Sequence, residues 1–403
     1  MNTVTTASMP EVRVLDRAPQ TRVASIDLIR GAVMILMAID HVRVFSGVPA
    51  GGPAPGVFFT RWVTHFCAPA FIFLAGTSAF LYARRHSDLS RFLLTRGLWL
   101  VLLEFTVLRL AWTFNFDFRH YAMAGVIWVI GASMIVMAGA VKLPINVLAT
   151  LGLLIVCGHN LLDSRLQSMA EHVNEHSLSG LWKLLYIGFY AGPISVGELN
   201  LFVLYSLIPW VGVMAAGYAF GRVFTLAEAR RRKLCLTIGL YAIALFLVLR
   251  GFNLYGDPFH WHSSPRFPAI LAFLNTTKYP ASLCFLLMTL GPMIALLPLL
   301  ERRTGAAARA VSVFGRVPFF YYVLHIPLVH ALALVVSKIR LGYVNAWLFT
   351  NHPMGNPRPP AGYAWSLWQL YLVWAIAIVM LYFPCRWFAE LKARRKDWWL
   401  SYL

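Results

Sequence analysis

Arg30 and His41 stand eleven residues apart in the first apolar stretch of the chain. The stretch reads Ser25-Ile26-Asp27-Leu28-Ile29-Arg30-Gly31 and, further on, Asp40-His41-Val42-Arg43. A helix turns about 100° per residue, so eleven residues bring the two side chains back to within roughly 20° of one another, about 16 Å apart along the axis. An arginine holds a phosphate by a bidentate, charge-assisted contact. A histidine titrates near neutrality and serves as general base or nucleophile. One helix face would thus hold an anion at one end and offer an imidazole at the other. A long anionic donor, a charged nucleotide with a thin arm ending in a thioester, has that shape. The plainer reading is that Arg30 snorkels to lipid headgroups and His41 makes a helix-to-helix hydrogen bond.

Two further stretches carry similar residues. Thr60-Arg61-Trp62-Val63-Thr64-His65 leads through Pro69 to Gly76-Thr77-Ser78, with Arg61 and His65 one turn apart on one face. Phe314-Gly315-Arg316-Val317-Pro318 leads through Tyr321 to His325 and His330, with Arg316 about 13 Å shallower than His325. The catalytic candidates are therefore His41, His65 and His325. Arg30, Arg316 and Asp27 are the candidates for holding the donor. Glu104 and Arg109 are five apart and point differently, so each is expected to pair elsewhere. Lys278 reads as an interface anchor. The five cysteines, Cys67, Cys157, Cys235, Cys284 and Cys385, lie in or beside apolar runs without CxxC spacing, and no metal is expected.

The elements that position these residues must be transmembrane helices. Of 403 residues, 59% are hydrophobic and 13% charged, against roughly half and a quarter in soluble domains. A helix needs about 20 apolar residues to cross the hydrocarbon core. Spans fit at about 24–45, 58–82, 92–114, 122–141, 144–162, 200–221, 234–252, 279–300, 314–337 and 364–385. The fold class is an all-α polytopic bundle of about ten spans. With the N-terminus inside, 22 of the 35 Lys and Arg residues fall on the cytoplasmic side, so both termini are expected there. The net charge of +19 is distributed among those loops, which argues against nucleic acid. Residues 1–21 read as a disordered cytoplasmic tail without the layout of a signal peptide, 22–390 as the membrane domain, and 391–403 as a basic cytoplasmic tail. Three long outer segments, about 163–199, 253–278 and 338–363, carry aromatic and polar residues suited to an acceptor.

The segments Ser25–His41, Arg61–Ser78, Leu274–Pro292 and Phe314–His330 resemble, in this order, the bacterial heparan-alpha-glucosaminide N-acetyltransferase-like membrane family, over roughly residues 22–340. Leu274-Asn275-Thr276-Thr277-Lys278-Tyr279-Pro280 is the most specific string. The Arg30 to His41 spacing is similar to that of the wider membrane acyltransferases that O-acetylate surface glycans. The resemblance implies acetyl-CoA as acyl donor from the cytoplasm, an envelope glycan or other acceptor on the far side, and residence in a bacterial inner membrane. Eukaryotic members carry a catalytic His in the loop after the first span. The matching stretch here, Ser46–Val57, has none, which leaves His41 as the active imidazole. Lipids and acyl-CoA are the expected partners, and a homo-oligomer stays open. A transporter is the rival reading, for which internal repeats are missing. A non-catalytic or haem-binding bundle using His41, His65, His325 and His330 is another.

Overall fold

The computed structural model describes residues 24–163, 179–354, 357–395 and 397–402. The tail expected at 1–21 lies outside them. Thirteen helices are named here: α1 Ala24–Ser46, α2 Pro55–Trp62, α3 Cys67–Ala83, α4 Leu89–Leu103, α5 Arg109–Thr113, α6 Val126–Ala140, α7 Ile145–Gly158, α8 Leu207–Phe220, α9 Glu228–Gly251, α10 Leu283–Leu300, α11 Ala306–Arg316, α12 Pro318–Leu341 and α13 Leu367–Arg394. A 3-10 turn joins α2 to α3 and a π-turn joins α4 to α5, so each pair forms one rod. Nine of the ten expected spans each overlap one rod, and the ninth overlaps two, α11 and α12. The chain is an all-α polytopic membrane protein, with seven segments among the described residues long and apolar enough to cross a membrane. The α6 helix is apolar but shorter. The α1 and α4–α5 rods are less apolar because they carry Asp27, Arg30, Asp40 and Arg43, and Arg91, Arg96, Glu104 and Arg109.

Three boundaries differ from expectation, each for a local reason. Residues 122–124 and 200–203, expected as span ends, lie in strands. β1 Tyr121–Ala124 pairs in parallel with β3 Leu199–Val203, and β2 Ile194–Val196 closes a three-stranded sheet antiparallel to β3. Gly125 then breaks the chain before α6. The ninth span splits at Val317, because Pro318 lacks the N–H needed to continue α11 and instead starts α12. The last helix runs to Arg394, beyond which Leu400 is buried and the Tyr402 hydroxyl meets Thr95 Oγ1 at 2.9 Å.

The α1 helix is central, packing against α3, α10, α11, α12 and α13. It lies so close to α11 that a Cβ at Gly31 would sit 2.0 Å from the Val311 carbonyl oxygen, and one at Gly315 1.7 Å from that of Asp27. Small residues let membrane helices pack by backbone contact where lipid supplies no hydrophobic drive. Gly76-Thr77 makes the same kind of contact with α8, Thr77 donating to the Gly217 carbonyl at 2.9 Å. Ala24, Asp27, Ala389 and Lys392 line one cavity, so the described chain starts and ends at the same face of the bundle. That face also carries Arg85, Arg231, Arg302 and Arg316 and is called the basic end below.

Candidate functional site

The deep end of the α1 stripe meets α12. His41 Nδ1 lies 2.5 Å from His325 Nε2, with the rings stacked at 4.8 Å. His325 is wholly buried, and its Nδ1 lies 2.7 Å from the Tyr322 carbonyl oxygen and 3.2 Å from that of Tyr321. A carbonyl only accepts, so His325 Nδ1 carries the proton and His325 Nε2 is the acceptor. His41 Nδ1–H therefore donates to it, and His41 Nε2 keeps its lone pair. His41 is half-buried and lines a cavity of about 510 Å³ at the end of α1 away from the basic end, with Trp112 edge-on at 4.8 Å and Tyr322 at 6.2 Å fixing the ring. This relay is chemically a base with an orienting partner, the arrangement that a general base or acyl-accepting imidazole needs.

Asp40 does not join it. Arg43 takes Asp40 at 2.7 Å and also donates to the Val48 carbonyl, bracing the end of α1. His330 is buried away from the cavity between Phe45 and Phe114, its ring nitrogens at the carbonyls of Ala111 and Leu348. Glu104 and Arg109 go separate ways, as their spacing implies. Glu104 accepts from Gly125 N and Trp128 N, each at 3.1 Å, and so caps the start of α6. Arg109 ties the 115–121 turn by bonds to the carbonyls of Asn115 and Tyr121.

His65 is not brought onto His41. It is buried, its Nδ1 has no hydrogen-bond partner among the described residues, its ring abuts Phe285 at 5.4 Å, and it lines a second cavity of about 410 Å³ with Arg61. The two cavities adjoin, sharing Ala50, Arg61, Phe189, Lys278 and Tyr279 on their walls. The 3-10 turn Val63–Phe66 turns Thr64 and Cys67 toward the first cavity and His65 toward the second.

Lys278 proves to be a buried wall residue of both cavities, 8% exposed, and not an interface anchor. Asp257 sets the loop that carries it. The Asp257 carboxylate accepts from Thr277 N at 3.0 Å, Thr277 Oγ1 at 2.8 Å and Ser282 Oγ at 3.1 Å. Arg250 lies 3.6 Å from Asp257 and donates to the carbonyls of Phe259, Phe273 and Asn275. The Asn275-Thr276-Thr277-Lys278-Tyr279-Pro280 string is thus a loop pinned to the end of α9. His352, in a loop without periodic signal, also lines the His41 cavity. Burial first, and then the neighbouring His330, lower its pKa to about 4, so it is neutral at physiological pH. Asp257 and His352 escaped the sequence reading because isolated loop residues leave no spacing pattern.

At the basic end, Arg30 donates to the Leu74 carbonyl at 2.9 Å and to Ser78 Oγ, tying α1 to α3. It lines a cavity of about 800 Å³ with Asp27, Arg85, His86 and two ion pairs, Arg231–Glu301 at 2.7 Å and Arg302–Glu228 at 2.7 Å. Arg316 lines a separate cavity of about 300 Å³ that shares only Ala24 and Asp27 with it. Arg30 and Arg316 thus flank Asp27 from two sides and do not converge. Among the described residues, the Arg30 cavity and the His41 cavity have no wall residue in common. Met34, one turn above Arg30 on the same face of α1, is 2% exposed and by helical spacing lies along α1 between Arg30 and His41.

Residues 22–254 match the family model described as "Heparan-alpha-glucosaminide N-acetyltransferase, catalytic". The matched stretch contains Asp27, Arg30, His41 and His65, and ends before Lys278, Arg316 and His325. No curated protein matches the chain.

Proposed function

The chain belongs to the heparan-alpha-glucosaminide N-acetyltransferase catalytic family, and from that premise we propose that it is an acetyl-CoA-dependent acyltransferase of a bacterial inner membrane, with both termini cytoplasmic. The donor enters from the cytoplasm at the basic end, and the acceptor, an envelope glycan or similar hydroxyl- or amine-bearing molecule, enters the outer cavities. The observation that carries the reading is the His41–His325 pair, which leaves His41 Nε2 bare toward a cavity.

In this reading His41 Nε2 removes the acceptor proton as the oxygen or nitrogen attacks the thioester carbonyl carbon. The carbon–sulfur bond breaks, and the coenzyme thiolate leaves and recovers a proton. His325 is a positioning residue: it holds His41 Nδ1–H and, through its own bond to the Tyr322 carbonyl, stabilises the imidazolium that forms. The basic-end cavity suits a nucleotide by size and by the four arginines on its wall. Arg30 and Asp27 sit where the arm of the donor would turn toward His41, and Arg316 flanks the neighbouring cavity. Met34 must move aside for the acetyl group to reach His41, and its flexible thioether chain allows this.

The test is transfer of labelled acetyl from acetyl-CoA to envelope fractions by membranes with and without the protein. Label should appear only with the protein and vanish with His41→Ala, while coenzyme A binding persists. Equal labelling by His41→Ala would overturn the assignment.

A further inference from the structure

The two outer cavities carry more positive charge than their own residues neutralise. Lys278 is more than nine-tenths buried, yet among the described residues its ammonium has no hydrogen-bond acceptor: it faces the rings of Tyr205 at 5.6 Å and Tyr279 at 5.2 Å and reaches Asp40 only through longer-range attraction. Arg61 bonds the Ala50 carbonyl at 3.3 Å and approaches the Tyr279 ring at 6.0 Å. Asp40 is the sole carboxylate among the described residues of either wall, and Arg43 already holds it at 2.7 Å. Burying an ammonium without an anion or oxygen acceptor is costly, so such a group marks where a ligand supplies one. Both cations stand on the wall shared by the two cavities, beside the unpartnered Nδ1 of His65. The second cavity also presents Trp62, Tyr190, Phe259 and Phe267, flat apolar faces on which a sugar ring lies, beside the polar Asn275, Thr276 and Thr277.

We propose that the outer cavities recognise an acidic sugar, one bearing a carboxylate or a phosphate. Its anionic group is held between Lys278 and Arg61, and its ring rests on the aromatic wall. The proposal deepens the acyltransferase reading and rests on it: the acidic group, fixed at the shared wall, orients a neighbouring hydroxyl or amine toward His41 in the adjoining cavity. Asp257 is the positioning residue, since it sets the loop that places Lys278.

The test is direct binding to the purified full-length protein without donor. Glucuronate, glucose 1-phosphate and glucose are the three probes, followed by intrinsic tryptophan fluorescence. At least one acidic probe should bind about tenfold or more tighter than glucose, as a charged hydrogen bond implies. Tighter glucuronate indicates a carboxylate, and tighter glucose 1-phosphate a phosphate. Lys278→Met should erase the preference and Lys278→Arg should retain much of it, with melting temperatures confirming the fold. Arg61→Gln, at a half-buried position, provides the second variant if Lys278→Met does not fold. Equal binding of all three probes, no binding of any, or an acid preference that survives both Lys278→Met and Arg61→Gln would overturn the proposal. Because no donor is present, loss of acyl transfer in the labelling assay would count against the acyltransferase reading and leave this result standing.

Discussion

Replacing His325 with Leu removes the acceptor of the 2.5 Å bond from His41 Nδ1 and little else that faces the cavity, because His325 is wholly buried. When His41 takes a proton, that bond becomes charge-assisted, and such bonds contribute about 1.5–3 kcal/mol. Losing it should slow acyl transfer by roughly 10- to 150-fold. His41→Ala removes the base itself and should cost about 10²–10⁴-fold. The two effects should not add. If His325 acts only through His41, the double variant is no slower than His41→Ala alone. The assay is labelled acetyl transfer per folded molecule, with melting temperature followed in parallel, since His325→Leu disturbs packed neighbours Tyr321 and Tyr322. Additive losses would mean that His325 touches substrate independently. A large loss for His325→Leu with near-normal turnover for His41→Ala would place the active imidazole on α12 and refute the relay.

Arg30→Met should weaken coenzyme A binding about tenfold or more by calorimetry and also lower the melting temperature, because the same guanidinium ties α1 to Leu74 and Ser78. Unchanged affinity would remove Arg30 from the donor site. Met34→Trp should block passage between the cavities, abolishing transfer while coenzyme A still binds, at a packing cost of roughly 1–3 kcal/mol. Retained transfer would show another route. His352 has a folded pKa of about 4 against an ordinary 6.5, so the unfolded chain binds the proton first as pH falls. Its contribution to stability, about 3 kcal/mol, is complete above pH 6.5 and lost between there and pH 4. His352→Phe should flatten the fall in melting temperature across that window, and an unchanged slope would show that His352 is accessible to protons in the folded chain.

Much of the scaffold was legible because crossing a membrane imposes long apolar helices, and all the expected spans but the ninth overlap a single helical rod. The Arg30–His41 face was legible too, because helical phase is a property of one segment. Which helix comes to lie against that face is not. His65 and His325 were equal candidates by sequence, and the lateral packing of α12 on α1 brought His325 to His41 and left His65 on a neighbouring wall. Residues 122–124 and 200–203 read as span ends in the sequence because each run is short and apolar, and only their pairing with one another makes them strands. Lys278 looked like an anchor because its burial depends on a loop pinned from a distance by Asp257. Arg30 and Arg316 were grouped by analogy of position, whereas the break at Val317 and the tight crossing of α11 on α1 put them in separate cavities.

The most direct measurement uses proteoliposomes of known orientation loaded with acidic-sugar or envelope-glycan acceptor. Labelled acetyl-CoA is supplied only at the face bearing Arg30 and Arg316. Label should accumulate on the enclosed acceptor, fail to do so when acetyl-CoA is supplied at the opposite face, and disappear with His41→Ala. Labelling that is independent of the face, or that persists without His41, would contradict transfer from a basic-end donor site to an outer imidazole.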